Sequence, residues 1–443
     1  MSLSCGILTL GCKVNQYESR AMAELLTAQG VAIHPFEDVC DMYLIHSCTV
    51  TAESDRKVRQ MTRRAIRRNP NAVIAVCGCA VQKDPQAIAQ IPGVSIVCGN
   101  RRKTELVSAA LNQLQNGRPE SPLILCGNLD ELPYEDMRIS GFDRIRAYVK
   151  IEDGCNANCA YCIIPKVRGP QTSRPMESVL EEISVLRDHG CREVVLTGIE
   201  TAAYRYDLGA LLEQIDRIEG VDRIRLSSVD PASLKPALME KMAFLPHLMP
   251  HFHISLQSGC SRTLARMRRR YNAQTAMERL TALRRLMPQV QFSADVIAGF
   301  PGESEQDFTE SLSFVREAEF LHLHVFPYSR RPGTEAADMP DQIDPSEKAR
   351  RVALLCRMGE QTRDAILARL AAGQENVTVL TEDMVKENGK TYLAQSPRQL
   401  GADEVTVTAP SSVTLRASDT ATVKVSLALT DKGKAALGSD FPN

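Results

Sequence analysis

Short apolar runs alternating with helical patterns, in two successive series, constrain this chain more than any other feature. In the first series CGILTL (5–10), a helical SRAMAELLTAQG (19–30), MYLIHS (42–47), a basic helix and AVIAVCG (72–78) follow one another. Strands alternating with helices predict parallel βα units and a doubly wound sheet. GRPESP (117–122) breaks the pattern with glycine and prolines and reads as a linker. A second series follows: RAYVKI (146–151), REVVLTG (192–198), RIRLSS (223–228), FHISLQ (252–257), FSADVIAG (292–299) and LHLHVFPY (321–328). Six βα repeats over about 200 residues predict a partial (β/α)6 barrel rather than a second open sheet, with strand-end polar residues such as Glu200, Ser228, Asp230, Gln257 and Tyr328 lining its active face. After a helical stretch (346–373) the period becomes two, in VTVLTEDMV, EVTVTA, SVTLRA and TATVKVSLAL, which predicts a small antiparallel β-domain closing as a barrel. The expected class is therefore α/β, with an amino-terminal domain over 1–118, a linker over 119–141, the barrel over 142–373 and the β-domain over 374–443.

Composition narrows the partners. The chain of 443 residues is 44% hydrophobic and 24% charged with a formal net charge of −1, so it is globular rather than disordered, and any polyanion must meet a local basic patch. No apolar run approaches the roughly 20 residues of a membrane span. The start MSLSCGILTLGC has no basic leader, so a cytoplasmic location without membrane attachment is expected. Fourteen cysteines in a reducing compartment read as metal ligands, reactive thiols and a few core residues.

Three of these cysteines stand together in GCNANCAYC, at Cys155, Cys159 and Cys162, on the loop after the first barrel strand. A structural zinc site needs four ligands in paired spacing, and no Cys or His follows Cys162 until His189. Three close thiolates suit a [4Fe–4S] cluster with one iron left open. A second group is scattered. If the first region is a parallel sheet, its apolar runs end at Leu10, Ile45 and Cys77, and just beyond lie Cys12, Cys48 and Cys79. Ligands of open α/β sheets bind outside the carboxyl ends of the strands, so these three would converge on one crevice. They could equally be buried core cysteines, as Cys98 after VSIV illustrates, and Cys77 could exchange with Cys79.

CxxxCxxC with an aromatic before its last cysteine resembles the signature of the radical S-adenosylmethionine superfamily. IIPKVRGPQTSR (163–174), SSVDP (227–231), HISLQSG (253–259), DVIAGFPGE (295–303) and FPYSRRPGT (326–334) resemble its methylthiotransferase branch, and the likeness covers nearly the whole chain. It implies that Cys155, Cys159 and Cys162 hold a [4Fe–4S] cluster whose open iron chelates S-adenosylmethionine. Tyr161 would lie near the adenine, and Ser228, Gln257 and Asp295 would face the cofactor; each also fits a satisfied strand-end hydrogen-bonder. TLGCKVNQYES (9–19), HSCTVT (46–51) and CGCAVQ (77–82) resemble the family's amino-terminal domain, which implies an auxiliary [4Fe–4S] cluster on Cys12, Cys48 and Cys79. TLGCKVNQYES looks most like the subgroup acting on threonylcarbamoyladenosine beside the anticodon of tRNA; the isopentenyladenosine and ribosomal-protein subgroups are the alternatives. The implied reaction is radical abstraction of the adenosine C2–H, sulfur insertion and methylation, with electrons from a donor such as a flavodoxin or ferredoxin. A non-catalytic iron–sulfur sensor that binds RNA would not need the CxxxCxxC spacing.

For contact with the tRNA anticodon loop, SDRKVRQMTRRAIRRNP (54–70) sets Val58, Met61, Thr62, Ala65 and Ile66 on one stripe and Arg56, Arg59, Arg63 and Arg67 on another. The second stripe could bind phosphates or be a solvated face. RMRRRYN (266–272) is a second basic run. The carboxyl-terminal domain resembles the TRAM module. It departs from that module in KTYLAQSPRQL (390–400), with Lys386, Lys390, Tyr392 and Arg398 as its best RNA contacts. TGIETAAYRYD (197–207) lacks the glycines usual in the family after this strand.

Overall fold

The computed structural model describes residues 3–142 and 145–373, together with the short stretches 386–387, 390–391, 405–408 and 426–429. Residues 1–362 form one compact unit and 363–443 a second. The first unit opens with six strands, β1 (Ser4–Thr9), β2 (Ala32–His34), β3 (Met42–Ser47), β4 (Val73–Gly78), β5 (Ile96–Cys98) and β6 (Leu123–Leu125). All pair in parallel, in the order β2-β1-β3-β4-β5-β6. The connecting helices are α1 (Lys13–Ala28), α2 (Ala52–Arg68), α3 (Cys79–Lys83), α4 (Pro85–Ala89) and α5 (Lys103–Asn116). Both faces are covered, which is why MYLIHS and VIAVCG are buried along their whole length and show no polar alternation. Met42, Leu44 and Ala75 pack with Tyr17, Met22 and Leu106 of α1 and α5, while Tyr43, Ile45 and Val76 pack with Val58, Ala65 and Ile88 of α2 and α4. Each buried leucine, isoleucine, valine or methionine here contributes about 1.5–3 kcal/mol.

The sheet runs further than the sequence suggested. β6 lies inside the stretch read as linker, pairing Ile96 with Leu123 and Cys98 with Leu125. GRPESP is only the connection to it. The rest of that stretch also packs inward: Met137 and Ile139 are buried, and Tyr17 Oη donates to the Met137 carbonyl at 2.5 Å.

The second series forms β7 (Ala147–Lys150), a two-residue clip of β8 (Glu152–Asp153) against β9 (Thr172–Ser173), then β10 (Glu193–Thr197), β11 (Arg223–Leu226), β12 (His251–Gln257), β13 (Gln291–Ala298) and β14 (His322–Pro327). Two parallel three-stranded sheets, β7-β10-β11 and β12-β13-β14, are joined at Val229. Its N–H donates to the His253 carbonyl at 2.8 Å and its carbonyl accepts from the Ser255 N–H at 3.0 Å. The result is the expected open barrel of six parallel strands. One short helix, α6 (Ile164–Arg168), lies between β8 and β9.

In the second unit, Lys386–Glu387 pairs antiparallel with Lys390–Thr391, and Val405–Thr408 with Ser426–Leu429. The turns that would close a barrel, with Tyr392 and Arg398, lie outside the described residues. Among the described residues no helix is long and apolar enough to cross a membrane.

Candidate active site

The strand order of the first sheet reverses between β1 and β3, and open sheets bind ligands at that reversal, outside the carboxyl ends. Cys12, Cys48 and Cys79 follow the ends of β1, β3 and β4. Cys12 occupies the N-cap of α1, where burial pushes its thiol up against the pull of the Arg168 charge. Gly11 has φ +104°, and a Cβ there would stand 2.8 Å from Cys48 Cβ and 3.0 Å from its Sγ, so glycine permits the approach of the two loops. Burial, together with the thiols of Cys79 and Cys12, pushes Cys48 up to about 11 against the pull of the Val50 N–H. Asn100 Nδ2 lies 3.6 Å from Cys79 Sγ. Cys77 and Cys98 are wholly buried inside β4 and β5, in the core on the α1/α5 side.

The β8/β9 clip pinches the base of the loop that carries Cys155, Cys159 and Cys162, all half-buried free thiols. Gly154, at φ +75°, makes the turn; a Cβ there would meet the Pro170 carbonyl oxygen at 2.2 Å. Burial, then Glu200 and Cys159, push Cys155 up to about 11. Burial, then Cys159 and Cys155, push Cys162 up to about 12. The buried Arg269 gathers the loop. Its Nη1 is 3.2 Å from Cys159 Sγ and 3.4 Å from Tyr161 Oη, and its Nη2 donates to Asp230 at 2.5 Å. Glu200 accepts from Ser233 and Arg270, with its Oε2 4.0 Å from Cys155 Sγ.

Ser228 is half-buried just beyond β11. Gln257 closes β12 at φ +66°, where the pairing with β13 slips register. A non-glycine residue held there costs about 1–2 kcal/mol. Asp295 sits mid-strand in β13, paired at 3.1 Å with His253 Nε2.

Between the two cysteine groups lies a buried charge network absent from the sequence reading. Arg168, fully buried at the end of α6, donates to Asp153 Oδ1 and Oδ2 at 2.9 and 3.0 Å, to Asn15 Oδ1 at 2.5 Å and to Glu18 at 3.4 Å. Lys150 and Lys103 approach the same Glu18 at 2.8 and 3.3 Å. Burial alone would raise the Glu18 carboxyl, but Lys103, Lys150 and Arg168 hold it well below the ordinary range. Asn15 also donates to the Leu10 and Ser47 carbonyls, beside Cys12 and Cys48. Cys79 shares a small apolar cluster with Ile163, just after Cys162, and Val167 of α6. A signal for this network did exist: Asn15, Glu18 and Ser19 are polar residues inside the buried stripe of α1.

The donor sets fit iron–sulfur clusters. Arg168 Nε is buried without a hydrogen-bond partner, and the arginine's charge is coupled to Cys79 and Cys12, so an anionic cluster on that group would face a waiting donor.

The α2 stripe is exposed at Arg56, Arg59, Arg63 and Arg67, while Val58, Thr62 and Ala65 are buried. Arg56 pairs with Glu53, its neighbour on the same helix. The second basic run is different. Arg269 and Arg270 are committed to Asp230 and Glu200, Arg266 to the Pro301 carbonyl and Arg268 to Glu335. Three of these four arginines are thus paired with acids distant in the sequence, and Arg269 in this way braces the cysteine loop.

The description "Radical SAM superfamily" matches residues 149–315, and "Uncharacterized protein family UPF0004" matches residues 4–99. The chain is 40% identical to the threonylcarbamoyladenosine tRNA methylthiotransferase MtaB of Bacillus subtilis (strain 168), over 86% of this chain and 85% of the relative. It is 33% identical to the protein of that name from Aquifex aeolicus (strain VF5), over 86% and 94%. It is 34% identical to the tRNA-2-methylthio-N(6)-dimethylallyladenosine synthase of Pelotomaculum thermopropionicum, over 80% and 81%. Among solved structures, the radical S-adenosylmethionine methyltransferase TsrM from Kitasatospora setae matches with TM-score 0.57 and 13% identity over 76% of this chain and 77% of that one, a likeness of fold. The two family matches fall on the two cysteine groups and the relatives align over most of their length: this chain belongs to the radical S-adenosylmethionine methylthiotransferases, enzymes that work with S-adenosylmethionine and [4Fe–4S] clusters.

Proposed function

We propose that the protein methylthiolates threonylcarbamoyladenosine next to the anticodon of tRNA, giving its 2-methylthio derivative. The observation that carries this reading is the facing of two separate thiol groups across α6, one on the barrel and one on the doubly wound sheet. In it, Cys155, Cys159 and Cys162 hold the cluster that chelates S-adenosylmethionine, and Cys12, Cys48 and Cys79 hold the auxiliary one. Bound there, these groups supply C2–H abstraction, sulfur insertion and methylation.

The protein's own residues orient and insulate. Arg269 ties Cys159 and Tyr161 to Asp230, fixing the loop at the mouth of the barrel. Tyr161 stands edge-on to Phe300, which packs against Tyr328, an apolar wall that keeps water out. Ser228 and Gln257, at their strand ends, suit contacts to the cofactor. The exposed Arg56, Arg59, Arg63 and Arg67 offer the phosphate contacts, the anticodon base being splayed into the crevice. A first domain that extends through β6, a barrel domain up to 373, a TRAM-like 374–443, a flavodoxin or ferredoxin as electron donor and a cytoplasmic setting belong to the same reading. Relatives named for dimethylallyladenosine favour that nucleoside as the second candidate.

Nucleoside mass spectrometry of tRNA from cells with and without the gene tests the substrate: loss of the methylthio group from threonylcarbamoyladenosine is expected, and loss from dimethylallyladenosine alone contradicts it. Anaerobically reconstituted Cys159→Ala should release no 5′-deoxyadenosine. Cys48→Ala should still release it and insert no sulfur, and unchanged iron in Cys48→Ala would exclude the second cluster.

A further inference from the structure

The loop AYRYD (203–207) carries the chain from the carboxyl end of β10 toward the helix Leu208–Asp216. It is pinned along its length. Gln171 donates to the Ala203 carbonyl, Tyr204 Oη to the Arg174 carbonyl at 2.7 Å and the Arg205 N–H to Ser173 Oγ at 3.0 Å. Asp207, at φ +63°, accepts from the Ala210 N–H at 3.1 Å and so starts the helix. A loop fixed in this way loses little further backbone freedom when something binds to its exposed side chains.

Those side chains are Arg205 and Tyr206. The buried Tyr204 ring stands edge-on to Tyr206 with centroids 5.8 Å apart, and the Arg205 guanidinium carbon lies 5.5 Å from the Tyr206 centroid. Tyr206 is still 41% exposed. Beside this pair, Tyr204, Gly209, Ser233 and Lys235 line a groove of about 620 Å³ that reaches Glu200 and Arg270. Glu200 Oε2 is 4.0 Å from Cys155 Sγ, so the groove meets the barrel's cysteine loop at this carboxylate.

Charge decides what the groove suits. Arg270 holds Glu200 at 3.0 Å and Lys241 faces Asp207 at 3.5 Å, so the acids here already have cations. Arg205 and Lys235 are exposed and have no acidic partner among the described residues. A phenol ring flanked by a guanidinium and an ammonium without acids meets both halves of a nucleotide, with a π-face for the base and positive charge for the phosphate. A target nucleoside in the crevice keeps its neighbour in the RNA tethered at this rim.

We propose that Tyr206, Arg205 and Lys235 form a subsite for the nucleotide next in the RNA to the one being modified, its base stacked on Tyr206 and its phosphate met by the two cations. This rests on the tRNA reading above.

The test uses full-length reconstituted protein and anticodon stem–loop RNAs that carry the target adenosine, either intact or with an abasic residue on its 5′ or its 3′ side. Dissociation constants come from fluorescence anisotropy. Wild type should lose about fivefold or more in affinity for one of the two abasic RNAs, the worth of one base–aromatic stack. Tyr206→Ala should bind the intact RNA more weakly by the same factor and should not distinguish it from that abasic RNA, while Tyr206→Phe should behave like wild type. Arg205→Gln and Lys235→Gln should each reduce the slope of log affinity against log salt by about 0.7. Independent, additive losses from Tyr206→Ala and the abasic residue overturn the subsite. Tyr206→Ala binding like wild type, or a salt slope unmoved in both cation variants, does the same. Wild type that binds the stem–loop no better than an unrelated hairpin would instead remove the tRNA reading itself.

Discussion

Arg168→Met removes the cation that joins the two cysteine-bearing loops while keeping an unbranched apolar side chain in its place. Five contacts vanish: two to Asp153, one to Asn15 and two to Glu18. Breaking one side of a buried ion pair costs about 3–5 kcal/mol because the partner stays buried without compensation. Here compensation is partial, since Lys150 remains 3.5 Å from Asp153 and 2.8 Å from Glu18, and Lys103 stays 3.3 Å from Glu18. The loss should therefore fall at the low end, about 3 kcal/mol. In a chain of this size that lowers the melting midpoint by about 3 °C. The functional effect follows from Asn15, which Arg168 anchors three residues after Cys12. Iron should be lost chiefly from the auxiliary group, leaving about half of the eight irons of two [4Fe–4S] clusters. Thermal melts of the reduced apoprotein and iron counts after anaerobic reconstitution read both effects. Arg350→Met, at an exposed pairing with Glu347 and Glu305, is the control and should melt like wild type. If Arg168→Met melts like that control and keeps its full iron, the network is not what holds the two loops together.

Gly11→Ala forces a Cβ to within 2.8 Å of Cys48 Cβ in a backbone conformation that alanine avoids, so the auxiliary half of the iron should be lost while 5′-deoxyadenosine release continues. Iron counts equal to wild type would show that the Cys12 and Cys48 loops need not approach so closely. The network also sets an acid limit. The Glu18 and Asp153 carboxyls are held below their ordinary values, so their stabilisation is complete above about pH 4.5 and is lost as the pH falls through the depressed values. The melting difference between wild type and Glu18→Gln, followed by circular dichroism, should be constant above about pH 5 and shrink below about pH 4. A difference that stays flat across that range contradicts the assignment.

What the sequence made legible follows from how far each signal is spread. β3 and β4 announce themselves because burial on both faces demands continuous apolar runs, and the group at Cys155, Cys159 and Cys162 is local. Cys12, Cys48 and Cys79 emerge only once a parallel sheet is assumed, because strand ends, and not spacing, bring them together. β6 stayed hidden: three residues after a glycine- and proline-rich break are too few to show a period. The partners of the arginines were hidden for a different reason. Arg56, Arg59, Arg63 and Arg67 are exposed, as helical spacing predicts, but Arg269 pairs with Asp230, far away in the chain, and a basic run does not reveal its partners.

The helix α6 explains why the two thiol groups are best regarded as one site. Ile163 follows Cys162 directly and shares one small apolar cluster with Val167 and Cys79, so the barrel loop and the Cys79 loop pack together through this helix. At the other end of the same helix, which is about 7–8 Å long by its rise per residue, Arg168 grips Asn15 on one domain and Asp153 on the other. A rigid element fixed at both ends cannot let one group swing while the other stays. For the proposed reaction, sulfur insertion and hydrogen abstraction should therefore act on a substrate carbon held in one crevice, without a domain motion that carries it between two.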